Sequence, residues 1–168
     1  MGTDATSDQQ TIPSAADHVD AMLEAARYND IDDLISLSSI GVPLSVKDSQ
    51  GRTALHMAAA NGHLAIVEYL IGNQCRMNAS NLEKNTPLHW ACLNGHKEVA
   101  KALIMAGADP SLLNSHERSP VDEAVNGGKM EVVDAINAAV AQAELRELGF
   151  LSAGMTNFQV CIGSAPIR

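Results

Sequence analysis

Gly51-Arg52-Thr53-Ala54-Leu55-His56-Met57-Ala58-Ala59-Ala60-Asn61-Gly62-His63 is the stretch that decides the fold. Thr53 is an N-cap by type, since its hydroxyl takes an orphan backbone N–H where a helix starts. Leu55, Ala58 and Ala59 then share one helical face, and the alanines permit close helix–helix approach. Asn61-Gly62 closes the helix, because glycine accepts the left-handed conformation that a C-terminal turn requires. A second helix follows, with Leu64, Ile66, Val67, Leu70 and Ile71 at helical spacing. Two antiparallel helices this short bury no core by themselves, so the unit needs neighbours.

A shift of 33 residues finds them. Thr53-Ala54-Leu55-His56 becomes Thr86-Pro87-Leu88-His89, Asn61-Gly62-His63 becomes Asn94-Gly95-His96, and Ile66-Val67-Leu70-Ile71 becomes Val99-Ala100-Leu103-Ile104. A second shift brings Ser119-Pro120-Val121 into place, with Gly128, Val132, Val133 and Ile136. A backward shift lays Ala25-Ala26 under Ala58-Ala59, and Leu34 and Leu37 under Val67 and Leu70. Gly41 and Gly107 hold matching places in the loop after the second helix. One register fits four units without insertion.

Thr86-Pro87-Leu88-His89, the alanine-rich turn after it, Gly95-His96 and Gly107-Ala108-Asp109 resemble the ankyrin repeat, over roughly residues 17–140. The resemblance implies an all-α ankyrin-repeat solenoid of four 33-residue repeats near 15–47, 48–80, 81–113 and 114–148, each a helix-turn-helix with a β-hairpin finger. The repeat domain is expected over 17–148, after a disordered acidic arm (1–16) and before an uncharged C-terminal tail (149–168). The outer repeats depart from the pattern: Asp20 and Asp122 stand where the central units have Thr53 and His89. The finger-tip glycine, Gly51, is replaced by Lys84 and Glu117, so the second and third fingers are expected to turn differently.

The outer repeats read as caps. Asp33 and Ser38 stand where the next unit has Ile66 and Ile71, and Asn137 stands where it has Ile71, as the solvent-facing ends of a finite stack require. The helix after Val133 is expected to run long and end near Gly149. Met1-Gly2-Thr3-Asp4-Ala5-Thr6 matches the N-myristoylation pattern formally, but no basic cluster supports it and an ordinary start is expected.

Composition excludes several classes. No run of eighteen apolar residues exists, so no membrane span is expected. The N-terminus lacks the basic and apolar regions of a secretory signal. Three cysteines, Cys75, Cys92 and Cys161, make an odd count without paired spacing, which favours a reducing compartment, the cytosol or nucleus. No glycine-rich phosphate loop or Gly-x-Ser-x-Gly elbow occurs, and Asp32-Asp33 and Asp122-Glu123 read as solvated helix faces. No cofactor is expected, and no enzyme.

The histidines and Cys92 are the residues from which chemistry could be built. The ankyrin resemblance implies that His56 and His89 make structural hydrogen bonds to neighbouring backbone, and that His63 and His96 sit at the inter-helix turn. Cys92 and His96 have the spacing of a metal pair, but structural zinc wants four ligands and no second pair accompanies them. Cys92 with His96 or His89 as base is the competing thiol reading; a buried small hydrophobe in the place of Ala59 is the other.

A solenoid presents a concave surface, and binding is expected there. The finger tips supply Ser49, Gln50 and Arg52, then Leu82, Glu83 and Asn85, then Ser115, His116 and Arg118. The ends of the first helices supply Tyr28 and Asn29, Ala60 and Asn61, Leu93 and Asn94, and Asn126. Trp90, the single tryptophan, is either core between helices or, beside Leu93, an anchor for a partner. Leu82 and Leu93 are unusual choices for solvent.

Charge narrows the partner. The net charge is −9, and residues 1–50 hold nine acids against two bases, among them Asp30, Asp32 and Asp33. Such a field repels nucleic acid and membrane phosphate and attracts basic protein segments. Thr53 to His63, with Leu88-His89-Trp90-Ala91-Cys92-Leu93-Asn94-Gly95, also resembles small ankyrin chaperones dedicated to a ribosomal protein, although no long acidic C-terminal extension accompanies it here. That resemblance implies the escort of a basic ribosomal protein before assembly. The expected function is therefore non-catalytic protein binding, by a monomer, through the concave face and fingers.

Overall fold

Thr53 Oγ1 accepts the N–H of His56 at 3.4 Å, and the His56 ring takes the Thr53 N–H at 3.2 Å. Thr86 and His89 repeat this reciprocal cap. Ser119 and Asp122 make it with a carboxylate in place of the imidazole, and Ser14 and Asp17 do the same at the N-terminal end. The caps satisfy N–H groups that a helix start leaves orphaned, and they set where four inner helices begin.

The computed structural model describes residues 13–162, with side chains described for 13–148. It contains α1 (Ala15–Arg27), α2 (Ile31–Ser39), α3 (Ala54–Asn61), α4 (Leu64–Gly72), α5 (Pro87–Asn94), α6 (Lys97–Met105), α7 (Pro120–Asn126) and α8 (Met130–Ile162). Each odd-numbered helix packs against the even one that follows. The odd helices stack as an inner layer, α1 on α3, α3 on α5 and α5 on α7; α4, α6 and α8 stack outside them. The myristoylation pattern and the expected disordered arm up to position 12 lie outside the described residues; the arm's last residues, 13–16, are ordered instead, with Ser14 capping α1 and Ala15 and Ala16 in its first turn.

The core is a set of columns repeating the sequence period. Ala25, Ala58, Ala91 and Ala124 are all buried, so successive inner helices meet across methyl groups. Met22, Leu55 and Leu88 form a second column, and Leu70, Leu103 and Ile136 a third between layers. Each such fully buried large side chain contributes about 2 kcal/mol. Asp33 and Asn137 are exposed at the two ends, as the capping reading expects.

Three elements differ from expectation. Helix α1 begins at Ala15, before the expected start of the repeat domain at 17, because Ser14 and Asp17 cap it there, and Asp20 lies inside it. Helix α8 passes through Gly149 to Ile162. A helix-interior glycine costs only about 1 kcal/mol relative to alanine, too little to end a helix that meets no proline. The fingers are turns, with no strand among the described residues: one backbone bond closes each base, Asp48 to Arg52, Asn81 to Asn85 and Asn114 to Arg118, each at 3.0 Å. One bond is too few for a ladder.

Candidate protein-binding surface

The fingers are built by one side chain each. Asp48 Oδ1 accepts the N–H groups of Gln50 and Arg52 at 2.9 and 2.8 Å. Asn81 Oδ1 accepts those of Glu83 and Asn85, and Asn114 Oδ1 those of His116 and Arg118. This turn forces the tip residue into the left-handed region in every finger: Gly51 at φ 75°, Lys84 and Glu117 both at 58°. The expectation that Lys84 and Glu117 change the turn is therefore corrected. Two hydrogen bonds to the turn carboxylate or amide outweigh the roughly 1–2 kcal/mol a side chain suffers at such a φ.

The fingers are also tied to each other and to the helices. Leu82 N–H donates to the Gln50 carbonyl at 3.0 Å, and Ser115 N–H to that of Glu83 at 2.9 Å. His56 Nδ1 accepts the Thr53 N–H, so the ring proton sits on Nε2, which donates to the Asn85 carbonyl at 2.9 Å. His89 does the same toward the Arg118 carbonyl at 3.0 Å. In the other direction His63 and His96 reach back to the carbonyls of Arg27 and Ala60, at 2.7 and 2.9 Å. Burial lowers the pKa of His56 to about 4, against the opposing pull of the Asn85 carbonyl, and burial also lowers that of His89. These four histidines bond repeat to repeat.

Between the first two fingers and α5 lies a hollow of about 430 Å³ lined by Gln50, Asn81, Leu82, Glu83 and Trp90. Trp90 is half-buried, set edge-on against His56 with ring centroids 5.4 Å apart. It is neither plain core nor a free flag: its inner edge packs and the remainder opens on the hollow. Leu82 is 74% exposed and Leu93, one turn beyond Trp90 on α5, 45%. Leu82 shares the hollow with Trp90, while Leu93 lies outside its lining.

Other expected contact residues fall in different places. Ser49, Asn61, Asn94, His116 and Asn126 are exposed, as are Tyr28 and Asn29 at the end of α1. Ala60 is half-buried, and Arg52 is held in an ion pair with Asp48 at 2.6 Å. Asn85 is corrected: it is buried, its amide donating to Glu83 and accepting from Asn114. Asp30, Asp32 and Asp33 stand at the start of outer helix α2, where Asp30 caps by accepting the Asp33 N–H, and none of them lines the hollow.

Of the adjacent acids expected on a solvated helix face, Asp122 is exposed, but Glu123 is buried. Asn114 donates to Glu123 Oε1 at 2.8 Å, and Arg118 lies 3.8 Å from Oε2. Its place in the register of Met57 and Trp90, on the inward face, was the available signal. The chain Asn85–Asn114–Glu123 joins two fingers to α7 beneath the surface.

Cys92 is fully buried and burial pushes its thiol up to about 12, so it holds its proton at neutral pH and offers no nucleophile. His96 Nε2 is engaged by the Ala60 carbonyl. Among the described residues no three His, Cys, Asp or Glu side chains converge as metal ligands, and no helix is long and apolar enough to cross a membrane.

A stack of capped helix pairs with fingers defines a repeat scaffold, and the comparison with known families agrees. Residues 22–114 match the description of ankyrin repeats in three copies, more than half of the sequence, and the chain belongs to that family. Helices α7 and α8 lie beyond the matched residues. The chain is 38% identical over 53 residues to acyl-CoA-binding domain-containing protein 1 of Arabidopsis thaliana, covering 32% of this chain and 16% of that protein. It is 51% identical over 47 residues to L-asparaginase of Dirofilaria immitis, covering 28% and 8%, and 40% identical over 57 residues to the mitochondrial liver glutaminase isoform of Rattus norvegicus, covering 34% and 9%. It thus spans less than a fifth of these relatives, whose names describe much longer proteins. Ankyrin repeats bind protein partners and are generally non-catalytic. The chain is a protein–protein interaction module.

Proposed function

We propose that this module binds a basic protein through the hollow beside Trp90, and that it escorts a basic ribosomal protein before assembly. The observation that carries the reading is the pair of exposed leucines near the half-buried Trp90: Leu82, which shares its hollow, and Leu93, one turn further along α5. An aromatic anchor ringed by aliphatic side chains is the composition of an interface hot spot. The acidity of residues 1–50 supports the choice of a basic partner. None of those acids is among the residues that line the hollow, so they steer encounter and raise the association rate more than they hold the complex.

Affinity capture from cell extract at low and moderate salt tests this reading. Wild type runs beside Asp32→Asn/Asp33→Asn, which spares the Asp30 cap. The expected result is one enriched basic ribosomal protein, reduced by salt and by the double substitution. Capture of a neutral or acidic protein, indifferent to both, contradicts it. Such a partner leaves the chain an adaptor of another kind.

A further inference from the structure

Among the side chains around the hollow, one charge stands out. Asn81 and Gln50 are neutral, and two of the finger cations are engaged, Arg52 on Asp48 and Arg118 on Glu123. Glu83 lines the hollow, is exposed, and among the described residues has no ion pair. Its Oε2 accepts only the Asn85 amide, at 3.1 Å, which orients the carboxylate without neutralising it. Lys84 follows on the finger tip, where its positive φ sets it at the turn outside the lining residues.

The lining that Glu83 joins includes two apolar side chains, Leu82 and Trp90. Leu82 is almost fully in solvent, and Trp90 is held by its edge contact to His56, a ring kept neutral by burial, so no cation competes beneath the indole. A carboxylate in a hollow that it shares with an aliphatic and an aromatic side chain suits a side chain with an aliphatic stem and a cationic head. The stem lies along Leu82, and the head meets both the carboxylate and the ring's negative face.

We infer that the hollow formed by Leu82, Glu83 and Trp90 is a subsite for a single arginine or lysine side chain from an extended partner segment. Arginine is the better fit, because its planar guanidinium stacks on the indole while its N–H fork donates to Glu83. The inference rests on the finger hollow being the binding surface. It adds the chemistry of the residue received and assigns Glu83 the specificity.

Trp90 is the single tryptophan, so its fluorescence reports the hollow directly. The probe is an acetylated, amidated octapeptide of Gly, Ser and Leu carrying one central Arg, titrated into the full chain. A second peptide carries citrulline there, neutral and nearly isosteric. The Arg peptide is expected to shift Trp90 emission saturably, and citrulline to bind about five- to tenfold more weakly. Glu83→Gln, which keeps an acceptor for Asn85, is expected to abolish the preference while leaving the circular dichroism spectrum unchanged. An Arg peptide that leaves Trp90 unmoved, equal affinity for citrulline, or a preference surviving Glu83→Gln each overturns the inference. Capture of a basic protein by Glu83→Gln as well as by wild type also overturns it while leaving the proposed function standing; failure of wild type to capture one counts against the function, and the peptide titration still decides the subsite.

Discussion

The imidazole of His56 donates from Nε2 to the carbonyl of Asn85, 29 residues further along and at 2.9 Å, tying one inner helix to the base of the next finger. Because Nδ1 already accepts the Thr53 N–H at 3.2 Å, only the neutral ring fits. This makes stability depend on pH.

Burial lowers the pKa of His56 to about 4 in the fold, from the ordinary 6.5 of a free imidazole. The unfolded chain therefore binds the extra proton first as pH falls. The stability is fully present above about 6.5 and is lost on the way down to about 4, by roughly 3 kcal/mol for this ring. His89, lowered in the same direction, adds to the loss. Urea unfolding between pH 7.5 and 4.5 checks this. His56→Gln is expected to be less stable at pH 7.5 and to lose less on acidification; parallel profiles for the two proteins contradict the assignment.

Gly62 and Gly95 hold equivalent places and both have positive φ, but a methyl group on Gly62 would lie 2.6 Å from the His96 ring, and one on Gly95 would lie 3.1 Å from the flexible Lys129 chain. Gly95→Ala is expected to cost about 1–2 kcal/mol from backbone conformation alone. Gly62→Ala is expected to cost about 2–4 kcal/mol, because the clash also displaces His96 from the Ala60 carbonyl. Denaturant midpoints rank the two.

Lys84 and Glu117 occupy a conformation that glycine adopts freely, as Gly51 does in the first finger. Lys84→Gly and Glu117→Gly are each expected to stabilise the fold by about 0.5–1 kcal/mol, after the flexibility glycine adds to the unfolded chain is subtracted. Gly51→Ala is expected to destabilise it, since its new methyl also meets the Asn81 backbone at 3.1 Å. Thermal unfolding of the three variants checks the signs.

Helix pairs, inner caps and columns were legible in the sequence because each depends on residues close in the chain and recurs at the repeat spacing. Thr53, Leu55, Ala58 and Gly62 carry their own local physics, and the repeat multiplies the signal. What failed depends on other segments. The tips at Lys84 and Glu117 follow the Asn81 and Asn114 side chains rather than the tip residue, so the missing glycine misled. Glu123 reads as solvent-facing by charge, yet its partner Asn114 comes from the finger. Asn85 shares a register with Arg52 and Arg118 but sinks between fingers because Asn114 and Glu83 receive it there. Of the expected contact surface, Leu82 and Leu93 were visible as apolar choices for solvent, Trp90 as a large side chain in the inward register of Met57, and Gln50 and Glu83 by finger position. The gathering of Gln50, Leu82, Glu83 and Trp90 into one hollow needed the packing of two fingers against α5, which no spacing along the chain encodes.

Leu82 and Leu93 are exposed, so truncating them changes stability by less than about 0.5 kcal/mol and isolates binding. The most direct measurement is a calorimetric titration of the captured basic protein against wild type and against Leu82→Ala/Leu93→Ala. The expected result is a loss of affinity of tenfold or more, roughly 1–3 kcal/mol, with an unchanged unfolding midpoint. Equal affinity for both proteins contradicts the placement of the binding surface at the hollow beside Trp90.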